Sequence, residues 1–232
     1  MKISEETVGI LRNFSTLEPS IVVYPGNVIR TKTGDDNIVC EYVSEDTFEQ
    51  TLSIYDLPRF LNSTKILGSD LDLSFEDESV ILSNESGQTI RYGLTPESMI
   101  ISMDKSVKDF NTVLTFKLSK DDISRINDAA SALNIEHLTI HNNSSGSIMA
   151  RVHQLDGEGN GSNRTDDYFD FIIGEYNGTA TFEFVFDVDT LPSYPGDYEV
   201  SVAEDLFSKF VHNTVKLSYW TAMRDETTYT GD

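Results

Sequence analysis

TLSIYDLPRFL at residues 51–61 and EFVFDVDTLPSYP at residues 183–195 are the two stretches that decide the fold, because they share one pattern. Each begins as a strand in which apolar and polar residues alternate, and each then passes through an aspartate into a Leu-Pro pair. Asp56 and Asp189 are suitable helix N-caps, and proline is tolerated in the first turn of a helix. The sequence therefore predicts a strand followed by a helix at both places, with the later helix over residues 189–194.

Matching strands follow both stretches. DLDLSFED at residues 70–77 and DYEVSVAED at residues 197–205 alternate apolar and polar residues and end in an acidic turn. A closing strand is predicted in each half, at residues 89–94 and 215–222. The order of elements after the Leu-Pro pair is therefore the same twice.

A helix and a pair of strands precede both stretches. Apolar residues recur with helical spacing over residues 3–14 and 119–133, and Ser4 and Ser119 stand at the N-cap positions. After each helix, a strand, a turn and a second strand indicate a hairpin, one of which covers residues 21–32. The repeated order predicts an α+β fold of two similar domains, each with two helices on antiparallel sheets.

The boundary between the halves is predicted within GLTPESMIISMDKSVKDF, because Pro96 interrupts regular structure there. The prediction is a first domain over residues 1–94, a connector over residues 95–108 and a second domain over residues 109–232. The similarity is one of pattern more than of identity. A chance likeness between two α+β domains remains the alternative to duplication.

The composition restricts the kind of protein. A net charge of −22, from 17 Lys and Arg against 39 Asp and Glu, argues against a conventional nucleic-acid binder, which needs a basic footprint. Only a strongly segregated charge distribution could reverse that argument. The single cysteine, Cys40, excludes an internal disulfide framework, and the acidic N-terminus lacks the apolar stretch of a signal peptide. A cytosolic protein is expected.

The predicted helices carry bases on the faces that point away from their cores. At 100° per residue these faces hold five bases against three acids, in a chain that is otherwise more than two-to-one acidic. The bases are Arg12, Arg59, Lys65, Lys120 and Arg125, with Lys2 just before the first helix. The simpler interpretation is that Lys and Arg are favourable on any solvent-facing helix surface.

Three segments carry a family resemblance: MKISEETVGILRNFSTL at residues 1–17, IYDLPRFL at residues 54–61, and IIGEYNGTATFEFVFDVDTLPSYPGDYEVSV at residues 172–202. They resemble the DNA polymerase processivity clamp, or sliding clamp, of T-even-like bacteriophages. The resemblance implies two DNA-clamp domains per chain and a head-to-tail homotrimer, which closes into a pseudo-six-fold ring around duplex DNA. It also implies tethering of the replicative DNA polymerase, loading by an ATP-dependent clamp loader, and a role for the clamp in late transcription with RNA polymerase.

The resemblance assigns roles to two sets of residues. The lumen of the ring would be lined by the six bases Lys2, Arg12, Arg59, Lys65, Lys120 and Arg125. Helix 119–133 departs from the expected pattern, because it carries Asp128, Ala129 and Ala130 where more bases would be expected. A pocket for partner peptides, beside the connector, would be formed by Ile100, Ile101, Met103, Trp220 and Met223.

Motifs for metal binding and catalysis give weaker signals. DGEGNGSNRTDD at residues 156–167 has the spacing of a calcium loop, but predicted strands flank it, which favours a hairpin loop. His137 and His141 lie four residues apart on a predicted strand, about 13 Å, and cannot share one ion. With no nucleophile elbow, phosphate loop or dinucleotide fingerprint, the sequence predicts neither an enzyme nor a cofactor.

One alternative function stays open at this stage. A β-rich, acidic, oligomeric virion or tail protein of a phage would have a similar composition. Under the clamp interpretation, the protein works in the cytoplasm of the infected bacterial host, with no membrane partner.

Overall fold

The computed structural model describes residues 1–68, 71–108, 110–155, 167–204 and 206–231. The chain divides into two compact units. Unit 1 consists of Met1–Lys108 and Lys216–Tyr219, and unit 2 of Asp109–Val215 and Trp220–Asp232. Apart from Asp167, the loop with calcium-loop spacing lies outside the described residues. Among the described residues, no helix is both long enough and apolar enough to cross a membrane.

Unit 1 contains two α-helices and eight strands among its described residues. In chain order they are β1 (Lys2–Ile3), α1 (Glu5–Leu17), β2 (Ile21–Val23), β3 (Gly26–Lys32), β4 (Ile38–Phe48), β5 (Leu52–Ile54), α2 (Leu57–Leu67), β6 (Leu71–Glu76), β7 (Ser79–Ser83) and β8 (Thr89–Gly93). One sheet has the order β1-β6-β7-β8, β2 pairs with β5, and β3 pairs with β4. A single turn of 3-10 helix follows at Glu97–Met99.

Both helices of unit 1 begin where their caps predict. The Ser4 hydroxyl accepts the Thr7 N–H at 3.2 Å, and the Asp56 carboxylate accepts the Arg59 N–H at 2.9 Å. Each helix buries one apolar stripe, in which Phe14 of α1 is fully buried. The two predicted helices and their caps are confirmed.

The hairpin predicted over residues 21–32 is wrong. β2 pairs with β5, in the register Ile21↔Ile54, whereas β3 pairs with β4. All three residues of β2 are buried, while β3 alternates towards more exposed positions. The two strands therefore belong to different layers, and the chain changes direction at Gly26, whose φ of +121° suits glycine.

Unit 2 contains one α-helix and eight strands among its described residues, and it shares a ninth strand, β16, with unit 1. They are β9 (Thr112–Leu118), α3 (Lys120–Leu133), β10 (His137–Asn142), β11 (Ser147–His153), β12 (Tyr168–Glu175), β13 (Thr181–Asp187), β14 (Tyr198–Ala203), β15 (Phe207–His212), β16 (Leu217–Ala222) and β17 (Thr228–Thr230). One sheet has the order β12-β11-β10-β13-β17, and β9, β14 and β15 are neighbours in another. The hairpin predicted after helix α3 is confirmed as β10 and β11. Phe186 of β13 meets Phe210 of β15 edge to face, which joins the two sheets across a common core.

Strand β16 is divided between the units. Its first residues, up to Tyr219, belong to unit 1, together with Lys216 just before it. The Val43 N–H of β4 donates to the Lys216 carbonyl at 2.9 Å, and the Lys216 ammonium contacts Glu45 at 2.8 Å. Tyr219 donates a hydrogen bond to the Asn13 side chain of α1. The end of the chain therefore completes unit 1.

The helix predicted over residues 189–194 is wrong, and with it the expectation of two helices in the second domain. The chain forms one turn of 3-10 helix, Val188–Thr190, and Leu191 is already extended at φ −66°, ψ 152°. In α2 the single proline, Pro58, occupies the first turn. Here Pro195 would follow in the second turn, where it removes a helical hydrogen bond and its ring meets the preceding turn. The described residues hold three α-helices.

Candidate functional site

Two of the bases predicted for the lumen, Arg12 of α1 and Lys65 of α2, line one groove of unit 1. Arg12 of α1 donates from Nη2 to the Leu61 carbonyl of α2 at 3.0 Å, and it reaches Thr64 Oγ1 at 3.5 Å. The groove has a volume of about 350 Å³, and its lining residues are Glu5, Val8, Gly9, Arg12, Thr64, Lys65, Gly68 and Leu71. The structure thus brings Arg12 and Lys65 together, with Arg12 partly committed to joining the helices.

The other two bases predicted in unit 1 are exposed. Lys2 approaches Glu85 at 3.5 Å, and both side chains are well exposed, so the ion pair contributes little to stability. Arg59 is exposed in the first turn of α2. Beside it, burial raises the pKa of the Tyr92 hydroxyl, Asp56 raises it further, and Arg59 opposes the shift.

Helix α3 offers a less positive surface. Asp122 forms a capping box with Ser119, and its carboxylate lies 3.9 Å from Arg125. Arg125 also stands over the ring of Phe171 on β12, at 5.8 Å from its centre. Lys120 is exposed at the start of the helix. The two bases predicted on α3 therefore share this helix with close or neighbouring acids.

The residues predicted for the partner pocket differ in accessibility. Ile100 in unit 1 and Trp220 and Met223 in unit 2 are buried, whereas Ile101 is 41% exposed and Met103 is half-exposed. Trp220 lies under the Lys209 ammonium, 5.0 Å from its ring centre. Three of the five are therefore core residues of their own units.

Unit 1 has a cleft that the sequence did not indicate. Its volume is about 390 Å³, and its lining residues are Glu18, Pro19, Ser20, Tyr55, Asp56, Met99 and Ile101. Of the five residues predicted for the partner pocket, only Ile101 lines it. Tyr55 and Met99 are 61% and 64% exposed. Their apolar character was visible in the sequence, but their convergence depends on the tertiary fold.

Among the described residues, each unit has a sheet that ends in an outer strand with no further strand paired to it and with a helix beside it. In unit 1 this strand is β8, where Tyr92 meets Phe60 of α2 edge to face at 5.2 Å. In unit 2 it is β12, whose Phe171 lies beside Arg125 of α3. Tyr168 and Ile172 of β12 are about three-fifths exposed. An exposed apolar outer strand is a template for pairing with another chain.

Two histidines of unit 2, His137 and His141, contact separate carboxylates. His137 Nδ1 lies 3.0 Å from Asp187, and His141 Nε2 lies 3.6 Å from Asp170. Within the described ranges, no group of three or more His, Cys, Asp or Glu side chains could hold a metal ion.

Comparisons with known proteins match this fold along most of the chain. The family model described as "gp45 sliding clamp, C terminal" matches residues 115–224. The protein named "Sliding clamp" of Vibrio phage KVP40 is 24% identical over 215 residues, which cover 91% of this chain and 94% of that protein. The "Sliding clamp" of Escherichia phage RB69 is 22% identical over 232 residues, 99% of each chain.

A solved structure extends the likeness of fold. The A. fulgidus PCNA, solved with the C-terminal region of FEN-1 bound, superposes with a TM-score of 0.69 at 14% identity. The match covers 95% of this chain and 96% of that one. At this identity the comparison establishes the fold alone.

Proposed function

We infer that this chain is a DNA sliding clamp of the T-even-like phage type, and we propose that it acts as a ring around duplex DNA. The observation that carries this inference is the match to phage proteins named "Sliding clamp" over nearly the whole of both chains. The family model and the fold agree with it. Sliding clamps act by topology and are not enzymes, so no catalytic site is required of this chain. The virion-protein alternative has no comparable support.

The proposed ring is a head-to-tail homotrimer in which six domains create a pseudo-six-fold symmetry. The two open outer strands support it: β8 of one copy would pair with β12 of the next, and α2 and α3 would flank the junction. Such an interface joins different surfaces of identical chains and closes if the rotation is right. Pairing would also cover Tyr168 and Ile172, whose exposure favours aggregation in an isolated chain.

The lumen would be lined by the six predicted bases, Lys2, Arg12, Arg59, Lys65, Lys120 and Arg125. A ring needs little affinity, because it stays on DNA by encirclement, and weak screened contacts let it slide. The net charge of −22 would repel DNA from the remaining surface. The acids beside Arg125 and Lys120 make the proposed contacts of α3 the weaker ones.

The proposed partners are the replicative DNA polymerase, an ATP-dependent clamp loader and the late-transcription machinery with RNA polymerase. The site of action is the cytoplasm of the infected bacterial host. Residues 95–108 would connect a domain over residues 1–94 to one over residues 109–232. The accessible residues of the predicted partner pocket, Ile101 and Met103, are the ones able to contact a bound peptide in this conformation.

Two measurements test the proposal. Sedimentation should give a particle of about 78 kDa, three times the chain mass of 26.0 kDa, and negative-stain images should show a ring with a central opening. The products of primer extension by the cognate polymerase should become longer only when this protein, the loader and ATP are all present. A solid or fibrous particle, or synthesis indifferent to the chain, would contradict the proposed function.

A further inference from the structure

We propose that residues 224–230 act as a strap that closes one edge of the five-stranded sheet of unit 2, so that a second copy of this chain can pair with the sheet only through β12. This proposal rests on the proposed function, in which β12 is the strand that meets the next copy. Without the strap, β13 would become a second pairing edge and would join one ring to another.

The two edges of this sheet differ in length and polarity. At one edge, β12 is eight residues long, carries the exposed side chains of Tyr168 and Ile172, and has no further strand paired to it among the described residues. At the other edge, β17 is only three residues long, and two of them are the exposed Thr228 and Thr230. A short polar outer strand is a poor template for pairing, so the strap leaves β12 as the favourable edge.

The strap occupies the outward backbone groups of β13. Strand β17 pairs with the first three residues of β13. Further along, the Val185 N–H donates to Thr227 Oγ1 at 2.9 Å, and the Val185 carbonyl accepts the Arg224 N–H at 2.8 Å. Both backbone groups of Val185 therefore face the strap, as expected for one residue of an antiparallel ladder. Removing the strap would open a row of donors and acceptors along β13.

Side chains fix the strap at two further points. The Arg224 guanidinium lies 3.0 Å from Asp187 Oδ1, and His137 Nδ1 lies 3.0 Å from the same oxygen. The ring of Tyr229 is stacked with that of Phe184, with 6.3 Å between their centres. Because Phe184 is fully buried, loss of the strap would expose apolar surface beside the freed backbone groups.

Unit 1 covers the corresponding strand in a similar way. Strands β5 and β13 belong to the two repeated stretches at residues 51–61 and 183–195. In unit 1 the Thr95 N–H, just after β8, donates to the Ser53 carbonyl of β5 at 3.1 Å. In both units, the segment after the closing strand therefore lies along the strand of the repeated stretch. This recurrence makes the strap a feature of the fold.

The partner that fits an uncovered β13 is the β13 of a second copy. An antiparallel pairing centred on Phe184 would place Phe182 opposite Phe186, so that aromatic rings meet on one face. Glu183 would then stand opposite Val185, and no like charges would face each other. Such a contact uses the same surface in both copies, so it would join two rings and would not extend one.

The first test is the mass of a chain that ends at Met223, compared with the full chain by sedimentation across a range of concentrations. Both are measured at about 0.3 M salt, where repulsion between acidic surfaces is largely screened. The truncated chain should reach about twice the mass of the full-length particle or more, because each contact between β13 strands joins two particles. A folded truncated chain with unchanged mass would overturn the proposal.

Val185→Pro in the truncated chain tests whether β13 is the strand that pairs. Proline removes the outward N–H and is tolerated on an outer strand, so this variant should return to the full-length mass. Far-UV circular dichroism confirms that it is folded. If truncated chains with and without V185P associate equally, the added mass does not come from pairing of β13, and the proposal fails.

A full-length variant decides the matter if the truncated chain does not fold. R224M/T227V retains β17 but removes the bonds to Asp187 and to the Val185 N–H, so hydrogen exchange at Val185 should accelerate and the mass should rise with concentration. Asp225→Asn, exposed in the same turn, is the control and should match the original chain in both measurements. Faster exchange at Val185 without added mass would refute the strap. A full chain that is not a trimer would instead refute the ring, because the effect of the strap is a difference between two forms of the chain.

Discussion

The guanidinium of Arg12 on α1 donates from Nη2 to the backbone carbonyl of Leu61 on α2, at 3.0 Å, and so joins the two helices of unit 1. This contact gives a residue predicted for DNA binding a structural role as well. The two roles can be separated by substitution.

Replacing Arg12 by alanine should lower the free energy of unfolding by about 1–2 kcal/mol, because a half-buried charged hydrogen bond is lost. Urea unfolding followed by far-UV circular dichroism measures this. Arg59→Ala is the control, since the Arg59 side chain is exposed, and it should change stability by less than about 0.5 kcal/mol. If the two variants lose equal free energy of unfolding, the hydrogen bond from Arg12 to Leu61 contributes no more to stability than an exposed arginine does.

Charge reversal of Arg59 and Lys65 tests the proposed lumen. The double variant R59E/K65E should reduce clamp-stimulated synthesis roughly tenfold, because two cations facing the phosphates become anions. The slope of log binding constant against log salt concentration should also decrease in magnitude by about two. Lys117→Glu, at an exposed position of β9, changes charge elsewhere and should preserve synthesis. Unchanged processivity in R59E/K65E would remove α2 from the DNA-facing surface.

Ile172→Asp tests the proposed pairing of β12 with the next copy. A buried aspartate without a partner at a strand junction is strongly unfavourable, so the trimer should dissociate at least about a hundredfold more readily. Sedimentation across a range of concentrations measures this. Tyr55→Asp, at a similarly exposed position, should leave the mass unchanged. If both variants stay trimeric, β12 is not the interface strand.

The lowered pKa of His153 predicts that the folded protein loses stability in mild acid. Burial lowers the pKa of its imidazole below the usual 6.5, and Thr139 Oγ1 lies 2.7 Å from its Nε2. The unfolded chain therefore takes up a proton first as pH falls. This group's contribution is fully present above about pH 6.5 and is lost as pH falls through the lowered value.

The measurement is the difference in unfolding free energy between the original chain and His153→Gln, from pH 8 down to pH 5. The variant should be less stable at pH 8, where the neutral imidazole packs well. The gap should narrow below about pH 6.5, because glutamine does not titrate. A gap that is constant with pH would show that His153 does not contribute to acid sensitivity.

Local chemistry explains which elements could be predicted from the sequence. The residues at which α1, α2 and α3 begin follow from N-caps at Ser4, Asp56 and Ser119, which act over three or four residues. Strand partners depend on distant residues. Ile21 faces Ile54, and no turn signal near residue 25 could disclose that partner. The cap at Asp189 likewise predicts a helix, but Pro195 opposes a second helical turn, and the chain forms only a 3-10 turn.

The same division applies to the candidate sites. Periodicity put Arg12 and Lys65 on one polar helical surface, but only the packing of α1 on α2 showed that Arg12 bonds to Leu61. The sequence places Trp220 in a pocket because tryptophan suits one, whereas the structure buries it beneath Lys209. The cleft at Tyr55 and Met99 joins segments more than forty residues apart, and no local pattern predicts such a meeting.

The division of β16 between the units bears on how the chain is made. Residues 216–219 pair with β4 and contact α1, so unit 1 lacks part of its own structure until synthesis has passed residue 219. A nascent chain arrested at residue 108 would present the edge of β4 uncovered, with its backbone groups open to other chains. Synthesis from the N-terminus therefore does not yield a finished first domain that waits for the second. Unit 1 becomes complete only after residues 216–219 have been synthesised.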